Sequence, residues 1–571
     1  MFQTYIRPPS AGQISNAPSS YMASAFQIRR LPDLLPEIHL VIFNYLLTVD
    51  QDVLNFGLTC KAFNALLKRS LFVLYRRSLH KRGFRDNPHC YMPLDEKWTL
   101  FQDRTLAWMA PNPVMEEEVP KYKGVLKVNN VALSPEALLG WFTEYSSPAQ
   151  SKFLILKFPY KVLSPDPPGL EFTQGDCIFL GFFPTSMQNR EVLAVGSALL
   201  EHDSFICAIQ SRDPAYPGGS KLVIGRYDCS RRELNSARAT FRLSLGETVS
   251  RVAMEAAGEN LAISFQSRAQ HGEDLTNFYV FDLDTFRSKL EISSWERVSD
   301  SALVFLSEGL LLNPSSSACA LDIYSIPQTT ALENGTAEPS TKSICSLGLP
   351  PLETGNHFSS IDCKCSLNPT AQDAFPRHLS RPFLEDPKRA IIVFAITVRR
   401  EGSSQQWNFL MVVHRRALLD VVNRNVADTS NVTEPRVIPW DEWGPPIVRW
   451  FPAPNGVLPP SWGQRLFETQ NHALHVLNFN PKETEYEGLL SDMLSGPLKP
   501  TKVEMPTTSV FQHWGAFKGE VNGDLQYIRQ VVQPMVAPSK AWFDGMRFLF
   551  TEESKDESGV DWTIVKSLYF G

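Results

Sequence analysis

No stretch of this chain reaches the roughly 18 uninterrupted apolar residues that a membrane-spanning helix requires. The start lacks the basic opening and apolar run of a signal peptide. Residues 1–32 contain no Asp or Glu and include Arg7, Arg29 and Arg30, a composition loosely like a transit peptide. Pro8, Pro9 and Pro18 oppose the amphipathic helix such a peptide needs, so residues 1–30 read as a disordered leader rich in Ser, Pro and Ala. Cysteine is sparse: nine residues, at 60, 90, 177, 207, 229, 319, 345, 363 and 365. An odd number without framework spacing suits a reducing compartment and a cytoplasmic or nuclear location. Cys363-Lys364-Cys365 is too short for a zinc site, and no paired CxxC completes one. A net charge of −6 supplies no concentrated positive field for nucleic acid. Phosphate loop, GxSxG elbow and HExxH helix are all missing. His202-Asp203 and His271-Gly-Glu-Asp274 are neighbours in sequence and read as solvated loops. These absences argue against an enzyme, a metal or cofactor, a nucleic-acid partner and a membrane partner.

What is present separates by texture. The count of 42 Pro points to many turns and irregular connections. Residues 31–78 have helical periodicity and almost no breakers after Pro36. Residues 79–120 read as a linker with a helical segment. From about 121 onward the pattern becomes short apolar runs divided by Pro, Gly, Asn and Asp, the texture of a large mainly-β domain. Expected strands are Phe153–Phe158, Cys177–Phe183, Val192–Val195, Phe205–Ile209, Leu222–Tyr227, Leu261–Phe265, Phe278–Leu283 and Ala302–Phe305. Ala390–Val398, Phe409–His414, His472–Phe479, Met546–Thr551 and Trp562–Tyr569 continue the series. Gln328–Ser343 and Arg424–Arg436 read as polar, turn-rich loops.

Asn277–Phe286, NFYVFDLDTF, resembles the outer strand and turn of a WD-type propeller blade, with Asp282 and Asp284 placed for side-chain turns. Lys221–Arg231 and Cys319–Ile326 echo it. Seven blades would occupy about 300 residues, so 121–571 has room for insertions. The fold expected is therefore α+β and multidomain: a small helical module followed by a degenerate WD-type β-propeller, with a sandwich or mixed β domain as the alternative.

The helical module carries the functional signal. In Glu37–Leu46, EIHLVIFNYL, one face would carry Ile38, Val41, Ile42 and Tyr45, and the other Leu40 and Phe43. A short helix apolar nearly all round must be covered on two sides, by the rest of the protein or by a partner. Asp50 can cap a second helix bearing Val53, Leu54 and Leu58, and a third runs through Phe63, Leu66, Leu67 and Leu71. The ordered string Leu35-Pro36 through Tyr45-Leu46, then Asp52-Val53-Leu54, then Cys60-Lys61-Ala62-Phe63, resembles the F-box consensus. An earlier Leu31-Pro32 start is possible, but the second keeps the spacing to Tyr45-Leu46. The resemblance implies that Leu35, Pro36, Ile38, Ile42, Leu46, Val53, Leu54, Cys60 and Phe63 contribute to a surface for a Skp-type adaptor.

Ile438–Pro452, IPWDEWGPPIVRWFP, and Trp462–Thr469, WGQRLFET, resemble the Trp-rich stretch of large fungal F-box proteins. Trp440, Trp443, Trp450 and Trp462 could form an aromatic substrate-binding surface or close a blade as core. The basic run Arg76, Arg77, His80, Lys81, Arg82 and Arg85 could meet an acidic adaptor or cullin surface, or form a solvated helix end. Together these resemblances imply the substrate-recognition subunit of a Skp–cullin–F-box ubiquitin ligase, with an unknown protein as substrate and no catalytic residues of its own. The alternatives are a non-catalytic scaffold that binds the adaptor, and a β-propeller hydrolase.

Overall fold

Pro36 opens the first helix, α1 (Pro36–Leu46), at a position where its missing N–H costs no hydrogen bond. Three more follow with breaks of one to three residues: α2 (Asp50–Thr59), α3 (Lys61–Arg69) and α4 (Leu71–Arg82). Ser70 caps α4, its Oγ accepting from Val73 N at 3.4 Å. In this computed structural model the chain divides into two units, Met1–Arg77 and Ser78–Gly571.

The residues described are 36–46, 50–109, 114–116, 122–123, 131–134, 137–143, 151–157, 177–180, 190–202, 204–212, 219–228, 233–243, 247–268, 274–294, 303–327, 343–369, 381–427, 436–453, 456–470, 473–480, 509–511, 515–532, 540–543, 545, 547–555 and 561–569. The expected leader, 1–30, lies outside them.

The first unit is held by aromatic rings. Phe43, Phe56, Phe63 and Val73 form its core, with Ile42, Leu46, Cys60, Leu67 and Phe72 packed against it. Phe56 and Phe63 stack at 4.2 Å between centroids, and His39 meets Phe63 edge-on at 4.9 Å. Gly57 lets α2 and α3 approach, because a Cβ there would lie 2.3 Å from Leu67 Cδ1.

In the second unit, residues 78–109 correct the linker expectation. Asn480 Nδ2 donates to the Lys81 carbonyl at 3.3 Å, and Arg389 donates to the His80 ring at 2.9 Å. Phe84–Asp86 pairs antiparallel with Phe383–Glu385. Buried Asn87 donates to the Arg381 carbonyl at 2.8 Å. Helix α5 (Leu94–Met109) then delivers Lys97 to Asp86 and to the Asn87 carbonyl, each at 3.2 Å. Its last turn places Trp108 in the largest core, 5.6 Å from Phe543. Short segments hydrogen-bonded at so many points are structure, not tether.

The rest of this unit is mainly β, in sheets that mostly take their strands consecutively and antiparallel. Sheet one comprises Val131–Ser134, Ala137–Thr143, Ser151–Lys157 and Cys177–Leu180. Sheet two comprises Arg190–Ala198, Ser204–Arg212, Ser220–Asp228 and Glu233–Leu243, with the short α6 (Leu199–His202) after its first strand. Thr248–Ala257, Asn260–Arg268, Asp274–Asp282 and Ser288–Ser294 make sheet three. Val304–Ser307, Leu310–Ser315, Ala320–Ser325 and Ser343–Gly348 make sheet four.

Sheet five comprises Asn356–Lys364, Ile391–Arg400, Gln406–His414 and Val448–Pro452. Between its last two strands lie α7 (Arg415–Ala427), strand Arg436–Ile438 and α8 (Trp440–Trp443); that strand adds in parallel to sheet four. The loop expected at Arg424–Arg436 therefore shrinks, because α7 continues to Ala427. Ser461–Trp462, Arg465–Gln470, Ala473–Asn478 and Ile528–Val532 make sheet six. Sheet seven joins Lys540–Phe543, Arg547–Lys555 and Asp561–Tyr569 to Val114–Glu116 and Tyr122–Lys123.

Every strand expected from sequence overlaps an observed one. Those missed include polar edge strands such as Glu233–Leu243 and Ser288–Ser294, where one ladder is open, but also central ones such as Ala137–Thr143 and Leu310–Ser315, which pair on both sides. Asp282 makes the side-chain turn expected of it, accepting from Thr285 N at 2.9 Å and Thr285 Oγ1 at 2.8 Å. Asp284 instead pairs with Arg226.

Candidate docking site

The burial pattern of α1 is the first clue to what the helical unit does. Phe43 and His39 face inward, and Ile42 and Leu46 pack against the same core. Ile38, Val41 and Tyr45, at i, i+3 and i+7, are 44%, 54% and 78% exposed. Three large apolar or aromatic side chains thus form one solvent-facing stripe on an eleven-residue helix. Leu58 near the end of α2 is 78% exposed as well. The sequence periodicity grouped Ile42 with Ile38, Val41 and Tyr45 on one face; the structure instead packs Ile42 against the core around Phe43.

The residues expected to contact an adaptor therefore divide. Ile38 lies on the exposed stripe. Ile42, Leu46 and Cys60 are half-buried against the core, and Phe63, 2% exposed, is part of it. Leu35 lies outside the described residues, as do the side chains of Pro36, Val53 and Leu54. The periodicity puts Val41 and Tyr45 on the same face as Ile38, although neither is among the residues that the resemblance implies for adaptor contact.

The tryptophan surface is corrected. Trp440, Trp443, Trp450 and Trp462 are all buried in the largest core. Trp440 meets Trp443 at 5.0 Å and Trp450 at 5.9 Å, both edge-on. Trp443 Nε1 donates to the Gly348 carbonyl at 2.8 Å, tying α8 to sheet four. Side chains so enclosed offer a substrate no contact area. They hold neighbouring sheets together.

Polar chemistry in the second unit bridges sheets. Arg251 of sheet three pairs with Asp362 of sheet five at 2.8 Å, and Asn368 donates to Glu255 at 2.6 Å. Among the described residues no group of three His, Cys, Asp or Glu is placed to hold a metal ion. Cys363 and Cys365 are buried, and Cys365 Sγ is a hydrogen-bond acceptor for Arg415 at 2.8 Å. Burial pushes the Cys207 thiol up to about 12, and burial with nearby Asp322 pushes Cys345 up to about 11, so neither is an activated nucleophile. The basic run after α3 is partly absorbed: Arg82 sits over the Phe101 ring at 5.8 Å, and His80 accepts from Arg389.

No family model matches the chain, and no curated protein matches it. Among solved structures it is similar to the WD40 domain of SCAP from fission yeast, at 9% identity over 80% of this chain and 98% of that one, with a TM-score of 0.32. It is also similar to the polysaccharide lyase Uly1, at 8% identity over 77% of each chain and a TM-score of 0.27. The beta-propeller domain of the Trilobed protease from Pyrococcus furiosus matches at 10% identity over 61% of this chain and 76% of that one, with a TM-score of 0.23.

Proposed function

We propose that this chain is the substrate-recognition subunit of a Skp–cullin–F-box ubiquitin ligase, docking a Skp-type adaptor through α1 and α2 and a protein substrate through the β unit. The observation that carries this reading is the solvent-facing stripe of Ile38, Val41 and Tyr45, on the helix whose sequence resembles the F-box. Leaving such side chains in water forgoes roughly 1.5–3 kcal/mol each for a fully buried residue, so a partner that covers them gains affinity. We further propose that the seven sheets are blades of a degenerate WD-type propeller. Val114–Glu116 and Tyr122–Lys123, early in the unit, complete the sheet built by its last strands, which is the pairing a closed ring needs. Such a protein raises the concentration of substrate near a ubiquitin-loaded enzyme and performs no covalent step itself.

Co-purification of the full chain with a Skp-type adaptor tests the reading. Ile38→Asp with Val41→Asp should abolish capture while leaving the helical signal in circular dichroism intact. An adaptor that ignores the intact chain would end the proposal. Capture without cullin-dependent substrate turnover would leave an adaptor-binding scaffold in its place.

A further inference from the structure

We infer that the docking site has a second, cationic part, the outward face of α3, fitted to an acidic protein surface beside the groove that covers α1; this rests on the adaptor reading above. Lys61, Ala65 and Lys68 recur at i, i+4 and i+7, with Arg69 beside them, and all four are exposed. Phe63 and Leu67 on the opposite side belong to the core. The sequence holds no Asp or Glu between Asp52 and Asp86, so nothing within α3 or α4 offsets these charges.

Two features mark the stripe as more than a solvated face. Lys68 and Arg69 sit in the last turn of α3, where the helix dipole favours cations, but Lys61 opens the helix at the end that disfavours them. Leu58 precedes Lys61 by three residues, so the exposed apolar and cationic surfaces meet at the α2–α3 corner. That corner is fixed by Thr59 Oγ1 donating to the Phe56 carbonyl at 2.6 Å and Asn64 N donating to the Cys60 carbonyl at 3.1 Å.

The arrangement favours a protein over a lipid or nucleic acid. A membrane-surface helix carries its bulky apolar and cationic residues on one helix, whereas among the described side chains α3 exposes no apolar residue bulkier than Ala65 beside its cations, and the apolar stripe lies on α1. Nucleic acid calls for a wider positive field than a chain of net charge −6 provides. The division of labour follows: the apolar stripe supplies burial, and the α3 cations steer encounter and fix orientation.

Association of the full chain with a purified Skp-type adaptor, followed by stopped flow, tests this. Raising salt from about 50 mM to about 300 mM should slow association at least ~10-fold while dissociation changes less than ~2-fold. Lys61→Glu with Lys68→Glu and Arg69→Glu should slow it comparably at low salt, and the three Gln replacements should fall between. The salt series on the unaltered chain decides the matter even if a variant misfolds. Adaptor binding whose rate ignores salt would overturn the cationic site and leave the adaptor reading standing; no adaptor binding at either salt would overturn both. Tighter salt-dependent binding to phosphatidylserine vesicles or to a short RNA than to the adaptor would overturn the choice of a protein partner.

Discussion

Arg104 of α5 and Glu385 form a buried ion pair, their side chains 4% and 6% exposed. The same guanidinium donates to the Gly545 carbonyl at 2.8 Å and lies 4.6 Å over the Phe84 ring. One side chain thus joins α5, the strand Phe383–Glu385 and the first turn of sheet seven. Removing one partner of a buried pair strands the other charge, so Arg104→Ala should cost about 3–5 kcal/mol. Urea unfolding of the full chain measures it, and a loss below about 1 kcal/mol would show the pair to be idle.

Residues 78–109 and the strand Val114–Glu116 belong to the second unit, which predicts where it can be cut. A fragment of residues 78–571 should unfold cooperatively. One beginning at 121 loses α5, Trp108 and two paired strands, and should aggregate or melt without a transition. Equal behaviour of the two in differential scanning calorimetry would contradict the assignment.

Folding and docking in the first unit should separate by residue. Phe63→Ala empties the ring stack and should destabilise the unit by about 3–5 kcal/mol. Ile38→Asp changes an exposed position and should stay within about 0.5 kcal/mol while removing adaptor capture. Thermal melts beside pull-downs check both, and a strongly destabilised Ile38→Asp variant would place that side chain in the core.

Burial alone would raise the Asp282 carboxyl, but hydrogen bonds from Thr285 N and Oγ1 and the nearby Lys289 ammonium outweigh it and hold the group at about 2. A depressed carboxyl stabilises the fold above its unfolded value near 4, and that contribution is lost as pH falls toward 2. Asp282→Asn should therefore lower stability at pH 7 and flatten its decline between pH 4 and 2. An unchanged acid limb in a pH series of melts would rule this out.

Trp443→Phe keeps most of the buried ring but leaves the Gly348 carbonyl without its indole donor, at a cost of about 1–2 kcal/mol. Its effect should appear in unfolding and not in substrate capture, since the ring is enclosed. Loss of capture at full stability would restore the tryptophans as a recognition surface.

Local pattern was enough for much of this. The F-box-like string, the helical spacing of α1 to α3 and strands such as Ile391–Arg400 and Gln406–His414 were readable because neighbouring residues determine periodicity, capping and turn chemistry. Asp282 could be assigned its turn from a ten-residue window. Edge strands such as Ser288–Ser294 escaped because a strand paired on one side needs little apolar alternation.

Other conclusions depended on contacts between distant residues. The amino-acid order by itself determined that a compact helical start precedes a strand-rich body, and that α1 has more apolar surface than one side can hide. Only the tertiary structure decided which of those side chains remain outside, because Phe43 packs with Phe56 and Phe63 in one centre and that packing sets the rotation of α1. It also made residues 78–109 part of the β unit, and it decided between the two readings of the four tryptophans in favour of core. The partners that hold those segments lie far away in sequence, where no local periodicity records them.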